Sequence, residues 1–382
     1  MLYNKYKSTN QQPRNVLLFG DGTYDNKNIL KYNNNYIPTY QANSNLVNGG
    51  DTYTSDDVLA CLSPYAQNRT NDTLLVGIGR LPINDTNQAK NIVDKCERYI
   101  TRADLRDKES GEWSNSVMRS SDDADDLGEL YFINDAENIY YQIDETNPVI
   151  NVQKVYSDAY KEYTSSSGAT YPDASKAIND RMKKGCLLFN YLGHGSPDHL
   201  SGERLVTITD ITSWTNYNKL ALMITSTCEF ARFDMVDKPA AGEYVLYSTN
   251  GAGIALIAAS RKISSNDGIN KNLHRFALER QANGKAYTFG EVMKNAKNNT
   301  SLMTSERSIV LLGDPALRMS LPTYDIKTTQ INNSYLNSDD STFSSIDTVH
   351  ALSTMTVKGE IRDFHGNKIN DFNGKIQITL FD

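Results

Sequence analysis

Short unbroken apolar runs recur along the chain, each bounded by turn-prone residues. They are Asn15–Phe19, Leu74–Ile78, Val149–Tyr156, Cys186–Leu192, Leu220–Ser226 and Gly253–Ala259. Runs of this length without polar alternation predict strands covered on both faces, as in a parallel sheet. Between them apolar residues fall at helical spacing. Asn87–Arg102 carries Ile92, Val93, Cys96 and Tyr99 on one face, and similar patterns predict helices over Leu127–Ile143, Asp173–Lys184, Ala240–Ser248, Gly268–Gln281, Thr288–Asn298 and Glu306–Leu312. Strand–helix alternation predicts an α/β fold, a mostly parallel sheet flanked by helices. Tyr24–Tyr53 shows no period and reads as a long surface excursion. Beyond Ser320 the composition turns to Asn, Ser, Thr and Asp, and the alternating stretches Ala351–Arg362 and Lys375–Phe381 predict the start of an all-β, immunoglobulin-like segment. The expected organisation is a first α/β subdomain at 1–112, a second, catalytic one at 113–320 and a β segment at 321–382. The short lead into Asn15 and the abrupt stop at Asp382 read as the ends of a fragment.

Charge and composition narrow the function classes. Lys plus Arg number 39 against 46 Asp plus Glu, a net charge of −7, with no basic block, so a nucleic-acid partner is not expected. The mean hydropathy is −0.54, and no apolar run approaches the length of a membrane span. Cys61, Cys96, Cys186 and Cys228 form no CxxC pair and no zinc spacing. No metal ligand set is expected from them.

Two of the runs end in reactive side chains. Cys186–Leu192 leads into Gly193-His194-Gly195, and Leu220–Ile224 leads through Thr225-Ser226-Thr227 into Cys228. Ligand crevices of open α/β sheets lie just outside the carboxyl ends of the strands. Adjacent strands stand about 4.8 Å apart, so the imidazole of His194 and the thiol of Cys228 are expected to meet there. A thiol needs a base or positive field to act as a nucleophile; a helix start after Cys228 is expected to lower its pKa. The amides of Gly195 and Cys228 are the candidate oxyanion donors. The alternative is a turn histidine and a buried cysteine, each common on its own. His199, His274, His350 and His365 lack such framing. Gly20-Asp21-Gly22, after the first run, fits either site architecture or a tight turn. The cluster Asp122-Asp123-Ala124-Asp125-Asp126 fits a helix start capped by Asp126, or a calcium loop, although the EF-hand spacing is absent.

Tyr191-Leu192-Gly193-His194-Gly195 together with Thr225-Ser226-Thr227-Cys228-Glu229-Phe230 resembles the gingipain family of cysteine peptidases, which share the caspase-like fold. Leu17–Asp25, Ile37–Gln41, Ile78–Pro82, Cys228–Asp234 and Leu311–Pro315 resemble more narrowly the cell-surface sortases of type IX secretion. The resemblance implies a Cys228–His194 dyad that cleaves the C-terminal signal domain from exported proteins and transfers the cargo to anionic lipopolysaccharide at the outer membrane, among other secretion components. It places an acid near the histidine at Asp123, and Glu203 fits the family pattern; with Glu229, Glu203 is a candidate for the substrate groove. No cofactor is required for this chemistry; a structural calcium is suggested by the family and by the Asp-rich loops. Hydrolysis by a gingipain-type endopeptidase and a non-catalytic role in surface assembly are the alternatives.

Overall fold

The computed structural model describes residues 12–43, 52–63, 65–67, 71–101, 111–147, 149–166, 168–263, 267–301, 304–337, 342–345 and 352–374, with Lys5, His350, Ile376 and Ile378. The chain divides into two compact units, residues 1–321 and 322–382.

The first unit is built on an eight-stranded sheet. Its strands, numbered along the chain, are β1 (Asn15–Phe19), β2 (Gly77–Leu81), β3 (Ser116–Ser121), β4 (Asn151–Tyr156), β5 (Leu188–Leu192), β6 (Ala221–Ser226), β7 (Gly253–Ala259) and β8 (Ile309–Leu312). In space they run β1-β2-β8-β7-β6-β5-β3-β4. Every neighbouring pair is parallel except β7 and β8. Strands from both expected α/β subdomains therefore share one sheet.

Helices α1 (Thr86–Thr101), α2 (Tyr131–Thr146), α3 (Pro172–Lys184), α4 (Ala241–Tyr247), α5 (Asp267–Leu278) and α6 (Phe289–Asn298) cover the sheet. Alternation along the strands sorts the core into two layers. Met118, Phe189, Tyr191 and Met223 pack with Ile92, Ile178, Met182 and Val245 from α1, α3 and α4. Val117, Leu188, Leu222 and Ile224 pack with Ile139, Leu273 and Val292 from α2, α5 and α6. Because both faces are covered, the central strands read as unbroken apolar runs.

Four local expectations are corrected. β1 lies at the sheet edge, so Leu17 and Phe19 are exposed rather than buried. Of the run at Leu74–Ile78 only Gly77 and Ile78 lie in β2, because Leu75 and Val76 donate to the carbonyl of Ala60 before the ladder with β1 begins. Glu306–Leu312 is no helix: a 3-10 turn at Thr304–Ser308 feeds β8, which pairs antiparallel with β7. Helix α2 begins at Tyr131 instead of Leu127, with no side-chain cap. Asp126 spends its Oδ1 on the Gly128 amide, closing a turn at 2.6 Å. At the stretch read as a surface excursion, Tyr40–Asn43 pairs antiparallel with Thr52–Ser55.

In the second unit Asp325–Ile331 lies between Ser334–Tyr335 and Val357–Arg362 in a three-stranded antiparallel sheet. The stretch expected over Lys375–Phe381 lies largely outside the described residues.

Candidate active site

Leu192 and Ser226 are the last paired residues of β5 and β6. His194 and Cys228 each lie two residues beyond, so the parallel register delivers both side chains to one end of the sheet. They line one cleft, together with Tyr131, Phe132, Asp135, Leu192, Ile263 and Asn270.

The turn carrying His194 is held by close packing. At Gly193 φ is +152°, and a Cβ there would lie 2.4 Å from the Cβ of Asp122. At Gly195 a Cβ would fall 2.2 Å from the Oγ1 of Thr227, the residue before Cys228. The His194 amide donates to Asp122 Oδ2 at 2.8 Å, and the Tyr191 hydroxyl donates to the His194 carbonyl at 2.9 Å. Glycine on both sides of the histidine thus lets the backbone approach β3 on one flank and β6 on the other.

The acid at the imidazole is Glu129, not Asp123. Glu129 Oε1 lies 2.9 Å from His194 Nε2, and its Oε2 accepts the Asp125 amide at 3.0 Å. The edge of the ring stacks on Phe132, with centroids 5.3 Å apart. Acceptance by Glu129 assigns the hydrogen of the neutral ring to Nε2 and leaves Nδ1 for proton exchange. Partial burial pushes the imidazole pKa down, but the Glu129 hydrogen bond and the Asp122 carboxylate outweigh it, and the net shift is upward. Asp123 instead accepts from the Tyr171 hydroxyl at 3.0 Å.

Cys228 departs from expectation in its surroundings. The next helix, α4, starts only at Ala241, so no helix N-terminus faces the sulfur. Burial raises the thiol pKa, and Glu229 adds to this against the opposing pull of Lys262. The Sγ faces the Ile263 carbonyl at 3.8 Å. Glu229 follows with φ +60°, a conformation that costs a non-glycine residue energy and turns the chain sharply after the thiol. Among the described residues, neither the Gly195 nor the Cys228 amide enters a backbone hydrogen bond outside the regular elements; Cys228 lines the cleft, and Gly195 lies one residue past its wall.

The two glutamates expected in the groove do not line this cleft. Glu229 pairs with Arg232 at 2.7 Å. Glu203 accepts from Ser201 at 2.6 Å and converges with Asp122 and Asp123, their oxygens within 4.8 Å of one another. Burial raises the Asp122 pKa to about 7, with Asp123 and Glu203 adding repulsion against the His194 amide. Among the described residues Asp122 Oδ1 is buried with no partner in hydrogen-bonding geometry, although the Ser201 hydroxyl nearby also favours the charged carboxylate. Three carboxylates and an unsatisfied oxygen fit a hard cation, which takes six to eight oxygens in the case of calcium.

Sequence reasoning missed Glu129. It placed that residue inside an expected helix, where an acid in the first turn is explained by the helix dipole. The later helix start converts the same residue into part of a turn that reaches His194.

The model of Peptidase family C25 matches residues 1–320. The chain belongs to this family, the gingipain family of cysteine peptidases. The fold is shared with solved structures at low identity. One, an Arg-specific cysteine proteinase, gingipain R (RgpB), superposes with a TM-score of 0.61 at 19% identity, over 88% of this chain and 72% of that one. A complex of Porphyromonas gingivalis RgpB pro- and mature domains gives 0.60 at 18%, over 88% and 73%. A structure described only as a protease gives 0.56 at 14%, over 94% and 85%. No curated protein matches the chain. Among the described residues no helix is long and apolar enough to cross a membrane.

Proposed function

We propose that this C25 chain is a thiol acyl-transferase of the PorU type, the sortase of type IX secretion. The observation that carries the acyl-transfer step is the joint presence of Cys228 and the Glu129-bound His194 in one cleft at the ends of paired strands. The Cys228 sulfur attacks the scissile carbonyl carbon, and its proton passes to His194 Nδ1. The Gly195 and Cys228 amides hold the developing oxyanion. As the C–N bond breaks, His194 returns the proton to the leaving amine and a thioester remains on Cys228. An acceptor amine then attacks the thioester, giving its proton to His194, and the new amide departs as the thiol re-forms. Glu129 steadies the imidazolium through both halves.

The sortase reading itself rests on the five sequence stretches from Leu17 to Pro315 that resemble PorU. Its substrates are exported proteins with a C-terminal signal domain, its acceptor anionic lipopolysaccharide, and its place the cell surface beside other type IX components. A structural calcium would sit among Asp122, Asp123 and Glu203, behind the histidine turn, neutralising their mutual repulsion.

Mass spectrometry of a signal-domain cargo incubated with the protein and an amine acceptor separates the alternatives. Amine-capped product, lost in Cys228→Ala, is expected. Uncapped product alone favours a gingipain-type endopeptidase. No cleavage, with Cys228→Ala indistinguishable, leaves only a non-catalytic assembly role.

A further inference from the structure

Directly beneath the catalytic cleft lies a set of buried polar side chains with bonding capacity left over. Asn190 on β5 is one residue pair deeper than Leu192 on the same face of the sheet, and it stands opposite Arg119 on β3. Asn270 and His274, one turn apart on α5, cover this pair. Arg119 and Asn190 have no exposed surface, and Asn270 and His274 retain 1%. Among the described residues, none of the three guanidinium nitrogens of Arg119 has a hydrogen-bond partner, and Asn190 Oδ1, Asn270 Nδ2 and His274 Nε2 are likewise unmatched. Tyr156 stands beside Arg119 as its nearest acceptor; its hydroxyl donates to Glu137 at 2.7 Å, and both groups favour the charged guanidinium. Buried groups left in this state are costly unless something else meets them.

Asn270 connects the set to the cleft, because it also lines the wall shared by Cys228 and His194. Its orientation is fixed from below. Asn190 Nδ2, itself donating to the Ile224 carbonyl at 2.9 Å, reaches Asn270 Oδ1 at 3.4 Å. His274 Nδ1 meets the main-chain carbonyl of Asn270, one turn earlier on α5, at 2.8 Å, which holds the histidine ring in the same set. With its oxygen held by Asn190, Asn270 has an N–H unmatched among the described residues, and behind it stands the Arg119 guanidinium, whose charge is met on its far side by Tyr156 and, through it, Glu137.

Resting on the acyl-transfer reading above, we propose that Asn270 is a specificity residue that receives the side chain of the residue whose carbonyl Cys228 attacks, and that the side chain accepted is an oxygen-bearing one, a carboxamide or a carboxylate. The Asn270 N–H backed by Arg119 favours such an oxygen over a cationic side chain, the type named for gingipain R, which only Asp135 on the same cleft wall would favour. A site built to bond such an oxygen discriminates strongly against an apolar isostere, which leaves the donor unmatched.

The test uses peptide acyloxymethyl ketones that differ only in that residue, as glutamine, glutamate, methionine or arginine, and measures the rate of Cys228 alkylation in the whole chain. Glutamine and glutamate are expected to react about tenfold or more faster than methionine and arginine. In Asn270→Leu the glutamine-to-methionine ratio is expected to fall toward one. Fastest reaction with arginine, or an unchanged ratio in Asn270→Leu, overturns the inference while leaving acyl transfer standing. No alkylation of Cys228 by any member overturns the acyl-transfer reading itself. If Asn270→Leu does not fold, the wild-type ranking decides.

Discussion

Replacing Glu129 with Gln removes one charge and almost no volume. The carboxamide oxygen can still accept from His194 Nε2 at the 2.9 Å separation, so the ring stays in place and only the stabilisation of the imidazolium is lost. A hydrogen bond to a charged group contributes about 1.5–3 kcal/mol. The His194 side chain is 56% exposed, and solvent screening puts this pair at the low end, about 1.5 kcal/mol. That corresponds to about a tenfold lower kcat/KM. The pH profile must also move, with a sign set by the linkage. The carboxylate holds the imidazole pKa above its ordinary value, so its loss lowers that pKa, and the acid limb on which the neutral imidazole appears shifts to lower pH. Single-turnover acylation by a peptide ester, followed across pH, reads both effects. Asp123→Asn serves as the contrast, because Asp123 bonds Tyr171; it should leave the limb where it is. A Glu129→Gln rate within about twofold of wild type with an unmoved limb would refute the assignment of Glu129 to the histidine, and a shift in Asp123→Asn alone would return the role to Asp123.

Alkylation by iodoacetamide near neutral pH should modify Cys228 first, read by peptide mapping, since burial pushes the Cys61 and Cys186 thiols to about 12 and Cys96 to about 11. Because the Cys228 pKa is itself raised, its rate should climb as pH rises above 7; equal labelling of Cys96 would remove the privileged status of Cys228. Gly195→Ala forces a methyl to within 2.2 Å of Thr227 Oγ1, and a thermal melt should show about 1–3 kcal/mol of lost stability together with slower acylation. Asp122→Asn keeps an acceptor for the His194 amide but cannot ionise. The folded state holds the Asp122 proton to about pH 7, against 3.8 for the free group, so wild-type stability falls as pH rises through that interval. In EDTA the variant should therefore melt above wild type by a margin that grows from pH 5 to pH 8, and added calcium should raise the wild-type Tm more than that of the variant. A margin independent of pH would mean that Asp122 is ionised throughout.

Sequence periodicity was sufficient to place most of the core. The runs at Leu188–Leu192, Ala221–Ser226 and Gly253–Ala259 are apolar without alternation because layers of helices bury both of their faces, and that physical requirement is written residue by residue. That His194 and Cys228 line one cleft was legible for the same reason: two parallel strands in the same register end at the same level, so residues just past their ends meet the same space. The sequence could not reveal the edge position of β1, the reversal of β8, or the delayed start of α2, because each depends on a neighbour distant in the chain. The last of these decides the site. Whether Glu129 is a solvated first-turn acid or the partner of His194 depends on about one turn of helix that local propensity leaves undetermined, and the 65-residue separation between the two is closed only by the packing of α2 against β5. The same holds for Asn270: nothing in the local sequence marks it, and only the stacking of α5 over Arg119 and Asn190 carries it into the wall of the cleft.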